Sequence, residues 1–338
     1  MSLVRPKWEA GFWGIISVGA AVLLIVVSAL LAGAGSARSA KSAGPRLIVA
    51  SYPVWLFTRY LTLGRDYFQV ELLTNPATGC PHDFAPQPRD LERLSQARVL
   101  VKNGLDLEPY LDRALLVAPK NIVVIDASRD LPTLPLNWGR LDLAPDQESA
   151  PTPSDLKSLA PNPHLFSSPR LAGLMTQNIA RALSQADPDG ANHYQERQTA
   201  FQADMDYLND FVEAFKRSRA GYRVIVSHGF MDYLAQDLGL IVLADIEPAP
   251  EVAPSASRLK ALADLVKADL VSAVLTEPTA DLATARTLAT EGGLKAAVVD
   301  PITSGPADPE PDFYKKVARE NLIVLARLLP ANRSLSGE

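Results

Sequence analysis

Apolar residues fall in two rhythms along this chain. Short β-branched or alternating runs at 46–51 (RLIVAS), 68–73 (FQVELL), 99–102 (VLVK) and 121–126 (NIVVID) predict strands. The stretches between them, at about 53–63, 88–97 and 107–116, predict helices. The alternation resumes later. Strands are predicted at 223–227 (RVIVS), 240–246 (LIVLADI), 270–275 (LVSAVL) and 295–300 (KAAVVD), and helices at about 230–238, 255–268, 280–291 and 312–329. Strands alternating with helices give parallel sheets with crossover helices, so the fold class is α/β in two halves. No residue-level repeat relates the halves.

The middle of the chain has a different texture. Eight prolines fall between Pro132 and Pro169, and residues 127–163 read as one long loop. A helix starts at Pro169 behind Ser167 and Ser168 and runs to about Gln185. After ADPDG (186–190) a second helix covers about 191–217. Phe201, Met205, Leu208, Val212 and Phe215 lie on one stripe, and much of the remaining circumference is polar. Such a helix suits a bridge between two lobes. The expected organisation is a leader (1–45), an N-terminal lobe (46–168), a bridging helical segment (169–221) and a C-terminal lobe (222–338).

The leader is read from its own pattern. Arg5 and Lys7 precede an apolar run of 21 residues, Phe12 to Ala32, followed by small residues to Ala37. That order is a secretory signal pattern. The run is also long enough to span a bilayer, which takes about 20 apolar residues. Cleavage and retention as an inner-membrane anchor both stay open, and either places the body in the periplasm or another extracytoplasmic space.

Composition sharpens this picture. The whole chain carries a net charge of −5; four basic residues and one acidic residue in the first 45 leave −8 on the rest. There is no basic stripe, which excludes an ordinary nucleic-acid binder. Cys80 is the single cysteine, so no intrachain disulfide forms, and it lies far from the leader, so it is no lipoprotein anchor. Its place two residues before His82 makes a soft metal ligand conceivable, although a lone thiol is usually a small buried residue.

Only four histidines are present. His82 follows the second predicted strand. His164 ends the proline-rich loop, and His228 follows RVIVS directly. Asp300 ends KAAVVD. Ligands of open α/β sheets bind at the carboxyl ends of strands, so these four could converge between the lobes. His193 lies inside the bridging helix and reads as structural or solvated.

The surroundings of these residues carry a resemblance. The stretches GCPHDFAPQPRDLERLSQARVLVKNGLDLEPYLDR (79–113), NPHLFSSPR (162–170), VIVSHGFMDYLAQDLGL (224–240) and VVDPI (298–302) resemble, in order, the four metal-ligand signatures of the zinc- and manganese-binding solute receptors of ABC transporters. EPAPEVAPSASRLKALADLVKADLVSAVLTEP (247–278) is similar to the segment between the last two. The resemblance implies two α/β lobes joined by a rigid long helix with a metal cleft between them. It implies metal ligands at His82, His164, His228 and Asp300. It also implies a monomeric receptor that hands its ion to a membrane permease. No G-x-x-x-x-G-K-[ST] loop is present, so the ATPase of such a system is a separate protein.

Two departures stand out. Segment 127–163 holds no histidine, whereas zinc-specialised members often carry a His/Asp-rich loop there. The usual lipoprotein cysteine is also missing.

Three imidazoles and one carboxylate suit tetrahedral Zn²⁺, while manganese prefers more oxygen donors. Manganese-selective relatives often place a carboxylate where this chain has His228. The expected cargo is Zn²⁺, with Mn²⁺ the alternative. Asp83 and Glu277 are candidates to orient the imidazoles. A closed four-ligand site does not catalyse. A zinc hydrolase using Asp300 or Glu277 as base is the enzyme alternative, but H-E-x-x-H and a nucleophile elbow are both missing. A metal-dependent adhesin is the third reading.

Overall fold

The strand and helix pattern of the first half folds as one parallel sheet. The computed structural model describes residues 44–77, 79, 81–136, 140–141, 160–247, 253–278 and 280–331, without the Asp83 side chain. The chain divides into two units, Met1–Gly44 and Pro45–Glu338, and the fold described is that of the second. Its first elements are β1 (Arg46–Val49), α1 (Tyr52–Thr62), β2 (Gln69–Leu72), α2 (Pro88–Ser95), β3 (Val99–Lys102), α3 (Leu111–Ala114) and β4 (Val123–Asp126). The sheet order is β2-β1-β3-β4, all parallel. Leu47, Ile48, Val49, Val99, Leu100 and Val101 are buried, as uninterrupted apolar runs must be in central strands covered on both faces. Pro53 opens α1 behind Ser51, and α2 starts with Pro88 inside a reciprocal Gln87–Asp90 capping box.

One element is shorter than its pattern. The helix expected over about 107–116 is only α3 followed by a 3₁₀ turn, Leu115–Val117. Glu108 precedes Pro109, which disfavours helical geometry before it. Leu105 and Asp106 adopt positive φ, and the Glu108 carboxylate folds back to accept from the Asn103 and Gly104 amides. Those backbone groups are thus satisfied without a helix.

The bridging segment comprises α4 (Pro169–Ala186) and α5 (Ala191–Arg219). The Ser168 hydroxyl caps α4 by accepting from Leu171 N at 3.1 Å. Twenty-nine residues make α5 about 43 Å long. Its buried stripe is Tyr194, Phe201, Met205, Leu208, Val212 and Phe215.

The second half repeats the first sheet's plan. Its elements are β5 (Arg223–Val226), α6 (Asp232–Leu238), β6 (Ile241–Asp245), α7 (Ala256–Lys267), β7 (Ala273–Thr276), α8 (Leu282–Glu291), β8 (Ala296–Val298) and α9 (Phe313–Leu328). The order is β6-β5-β7-β8, again all parallel. Ser255 caps α7 by accepting from Arg258 N at 3.2 Å, at the start of the helix expected over about 255–268.

α5 packs on α4 and also meets α1, α6 and α9. The largest apolar core therefore runs without interruption from Leu47 through the bridge to Leu329. Phe57 of α1, Phe201 of α5 and Tyr314 of α9 meet at its centre, with ring centroids 5.1 to 6.0 Å apart. Two smaller cores fill the outer faces of the two sheets. Among the described residues no helix is long and apolar enough to cross a membrane. The apolar run 12–32, Cys80, and most of the proline-rich loop lie outside the described residues.

Candidate metal centre

Both sheets change winding direction between two neighbouring central strands, and at such a point the loops diverge and leave a crevice. In the C-terminal sheet those strands are β5 and β7, paired Val226 to Leu275. His228 lies two residues past β5 and Glu277 directly past β7. His228 Nδ1 therefore stands 2.9 Å from Glu277 Oε1, an ion-pair contact set off the line of a well-aligned hydrogen bond. In the N-terminal sheet the equivalent point lies between Ser51 and Asn103. Buried Glu108 fills it, accepting from Ser51 Oγ at 2.6 Å and from Asn103 N at 2.9 Å. The Asn103 amide then donates to Pro163 O at 2.9 Å, fixing the residue before His164. Gly104 shares this turn at φ +90°, where an added Cβ would lie 2.3 Å from Asp126 Oδ1 and Ser128 Oγ, so no larger residue fits.

Three imidazoles meet in the crevice. His82 sits on the 3₁₀ turn Pro81–Asp83, and His164 immediately precedes the 3₁₀ turn Leu165–Ser167. His164 is central: its ring centroid lies 5.7 Å from that of His82 and 5.6 Å from that of His228. Two imidazoles on one tetrahedral zinc, at Zn–N of 2.0–2.1 Å, have ring centres about 5 Å apart. The rings are gathered close to that spacing without being drawn in. Among the described residues, no three His, Cys, Asp or Glu side chains already stand as a ready-made metal-holding group.

Asp300 lies two residues past β8, on a loop held by Asn321, which accepts from Asp300 N at 2.9 Å and donates to Asp300 O at 2.8 Å. One carboxylate oxygen accepts from Ile302 N at 2.7 Å. Asp300 lines a small crevice with Ser167 and Phe230, from the turns that carry His164 and His228. The Asp300 loop reaches the other lobe directly. Gly305 N donates to Pro76 O at 2.9 Å, and Tyr52 OH donates to Pro306 O at 3.0 Å.

The electrostatics separate these groups. Burial, reinforced by the charges of His228 and His82, holds the His164 pKa well below the ordinary histidine value. Burial also works against a charged His228, but the Glu277 contact and the fields of Glu247 and Asp245 outweigh it, and the pKa is raised. Burial raises Asp300; the Ile302 amide opposes this, and the Glu277 charge adds to it. Of the two residues expected to orient imidazoles, Glu277 is in contact with His228, and the Asp83 side chain lies outside what is described. His193 stands on α5 beside Tyr194 and Gly64.

The sequence reading passed over Asn162. Its Oδ1 accepts from His164 N at 3.0 Å and lies 2.8 Å from His164 Nδ1. Its place two residues before His164, inside NPH, was the available signal. Arg140, Asn103 and Glu108 were also missed, because nothing local marks them.

The family model described as "ZnuA: Zinc-uptake complex component A periplasmic" matches residues 48–328. The chain belongs to this family. Among its relatives is the high-affinity zinc uptake system protein ZnuA of Bacillus subtilis, 27% identical over 325 residues, covering 94% of this chain and 97% of the relative. The zinc-binding lipoprotein AdcA of Streptococcus pneumoniae is 26% identical over 84% of this chain, which spans 55% of AdcA's length. The solute-binding protein FpvC of Pseudomonas aeruginosa, solved with Mn²⁺, superimposes with a TM-score of 0.70 at 26% identity, covering 85% of this chain and 98% of FpvC. The expected family and the two-lobed α/β fold with its long linking helix are both borne out.

Proposed function

We propose that this chain is the extracytoplasmic receptor of a zinc-uptake ABC transporter, and that it holds one Zn²⁺ through His82, His164, His228 and Asp300. The observation that carries this reading is the convergence of three imidazoles around His164, whose buried Nε2 has no hydrogen-bond partner. A buried nitrogen lone pair without a donor is costly unless a cation takes it up. A bound ion draws the rings inward by roughly half an ångström, towards the spacing of a tetrahedral site. Asp300 supplies the anionic fourth ligand, brought in by the loop that also contacts Pro76. Four protein ligands leave no open position, so the site captures and releases without catalysis. The delivery partner is a membrane permease with its own cytoplasmic ATPase, and residues 1–45 export the body.

Metal analysis of the full chain, purified in mild detergent without added metal, followed by competition between Zn²⁺ and Mn²⁺, tests this reading. One equivalent of zinc, retained against manganese excess, is expected. Substoichiometric metal that His82→Ala and Asp300→Ala leave unchanged removes the claim. Manganese retained in preference to zinc would reassign the cargo, as FpvC's complex with Mn²⁺ makes chemically reasonable.

The pKa directions give a second prediction. Metal needs neutral imidazoles. His164 stays neutral through the physiological range, whereas His228, with its raised pKa, protonates first as pH falls. Zinc affinity should therefore begin to drop at or above pH ~6.5 and fall by up to about tenfold per pH unit for each competing proton. Affinity that is flat from about pH 7.5 to 5.5 contradicts this site.

A third prediction concerns Glu277. Glu277→Gln removes the charge that favours protonated His228, so the onset of the loss moves to lower pH. The same change weakens the imidazole's orientation and should cost about tenfold or more in affinity on the high-pH plateau. Chelator-dye competition across pH reads both effects. An unmoved onset would show that Glu277 does not govern His228.

A further inference from the structure

The proline-rich loop carries no histidine, yet residues 140–141 within it connect to the candidate metal centre by another route. Leu141 N donates to Leu243 O at 2.7 Å, which sets this residue against the outer edge of β6. The side chain of the preceding residue, Arg140, is only 6% exposed. Its guanidinium forks onto Asp245, with Nε to Oδ2 and Nη2 to Oδ1 both at 2.9 Å, and Nη2 lies 2.6 Å from Asp232 Oδ1. Asp232 Oδ2 accepts from Asn162 Nδ2 at 2.8 Å, and the same Nδ2 donates to Gly229 O at 2.8 Å.

These contacts determine which way the Asn162 amide faces. Asp232 and the Gly229 carbonyl only accept, so the NH₂ end must point at them. The carbonyl end therefore faces His164, where it accepts from His164 N at 3.0 Å and meets His164 Nδ1 at 2.8 Å. An amide oxygen cannot donate, so Nδ1 carries the proton and Nε2 keeps its lone pair. Nε2 is the buried ring nitrogen of His164 without a hydrogen-bond partner.

We propose that Arg140 is a positioning residue for metal capture: through Asp232 and Asn162 it sets the His164 tautomer that turns a lone pair into the cleft. This rests on the metal-receptor reading and deepens it. The loop, which holds no histidine, then serves the site through the guanidinium of Arg140. The clamp also grips both halves of the site, because Asn162 precedes His164 and Gly229 follows His228. The space is close: a Cβ on Gly229 would stand 3.3 Å from both Asn162 Nδ2 and Asp232 Oδ2. Without the guanidinium, Asp232 and Asp245 face each other without their shared counter-charge, and Asp232 loses its reason to hold Asn162 in one orientation.

The test uses the full chain in mild detergent, stripped with chelator, and compares wild type with Arg140→Met. Long-range ¹H–¹⁵N spectra of the imidazoles read the tautomer, and dye competition reads zinc affinity. Wild type should show His164 protonated at Nδ1. Arg140→Met should show a mixture of tautomers and bind zinc about 10- to 100-fold more weakly. In an Asn162→Ala background the Arg140 change should add little, because its route to His164 is already cut. If Arg140→Met does not fold, Asp245→Asn, which loosens the guanidinium but keeps it, is read in the same way.

A wild-type His164 protonated at Nε2 overturns the proposal. So does a folded variant with wild-type tautomer, or one with zinc affinity within about twofold of wild type. His164→Ala serves as the control that separates the two readings. If it weakens zinc binding by about a hundredfold or more while Arg140→Met does not alter it, the receptor reading stands and the positioning role fails. If wild type takes up no zinc at all, the receptor reading itself fails.

Discussion

His164→Ala should weaken zinc binding by about two to three orders of magnitude. A four-ligand zinc site is worth roughly 10–16 kcal/mol, so one ligand in four accounts for about 2.5–4 kcal/mol, at 1.4 kcal/mol per tenfold. His164 should be the most damaging of the three imidazoles to remove, because it is the central ring and contacts both of the others. It is also the one kept neutral by its surroundings, so at neutral pH its lone pair is free of proton competition. Isothermal titration or dye competition at pH 7.5 checks this. The apo variant should fold but lose some stability, since the buried ring and its Nδ1 bond to Asn162 Oδ1 go with the side chain. Zinc affinity retained within about tenfold would mean that the ion sits elsewhere.

Phe57→Ala should have the largest effect on folding. Phe57 is fully buried and touches Phe201 at 5.4 Å and Tyr314 at 5.1 Å. Truncating such a ring leaves a cavity where the N-terminal lobe, the linking helix and the closing helix meet, at a cost of about 3–5 kcal/mol. Domains of this kind are stable by only about 5–15 kcal/mol. Denaturant unfolding of the metal-free chain should show the midpoint falling at nearly unchanged slope. A functional consequence follows from Tyr314, whose hydroxyl donates to Phe166 O at 2.7 Å, two residues past His164. Loosening this aromatic contact should therefore also weaken zinc binding, though less than losing a ligand. A loss of stability below about 1 kcal/mol would mean that the core closes over the gap.

Much of the fold was legible before any coordinates. The apolar runs placed all eight strands to within three residues at either end. Ser168 and Ser255 stand as N-caps where a small hydroxyl precedes an apolar period. The pattern failed at 107–116, because helical spacing of apolar residues does not register a buried carboxylate that satisfies the local amides. The three histidines were legible for a different reason. Each belongs to a motif at the end of a predicted element, and the position of such ends follows from local pattern alone.

Glu277 was legible as a candidate to orient an imidazole, but which histidine it meets, and the other partners, were not. Glu277 meets His228 because β5 and β7 are neighbours in the sheet, although 49 residues separate the two in sequence. Arg140 meets Asp232 and Asp245 because its neighbour Leu141 pairs with the edge strand β6, and in a sequence it is one arginine among many.

The sequence alone thus determined two α/β halves, a long helix between them, and which side chains have the chemistry to hold a metal ion. Those properties are local: periodicity, capping and ligand type all act within a few residues. Only the tertiary structure decided that both sheets share one strand order, which no residue-level repeat betrays because order depends on pairing between distant strands. It also decided that His164 lies between the other two rings, and that Asn162 and Glu277 hold two of the three imidazoles. Burial, charge and orientation around a side chain are set by elements far away in sequence. Whether a given imidazole is neutral, and which nitrogen it offers, is therefore a property of the folded chain.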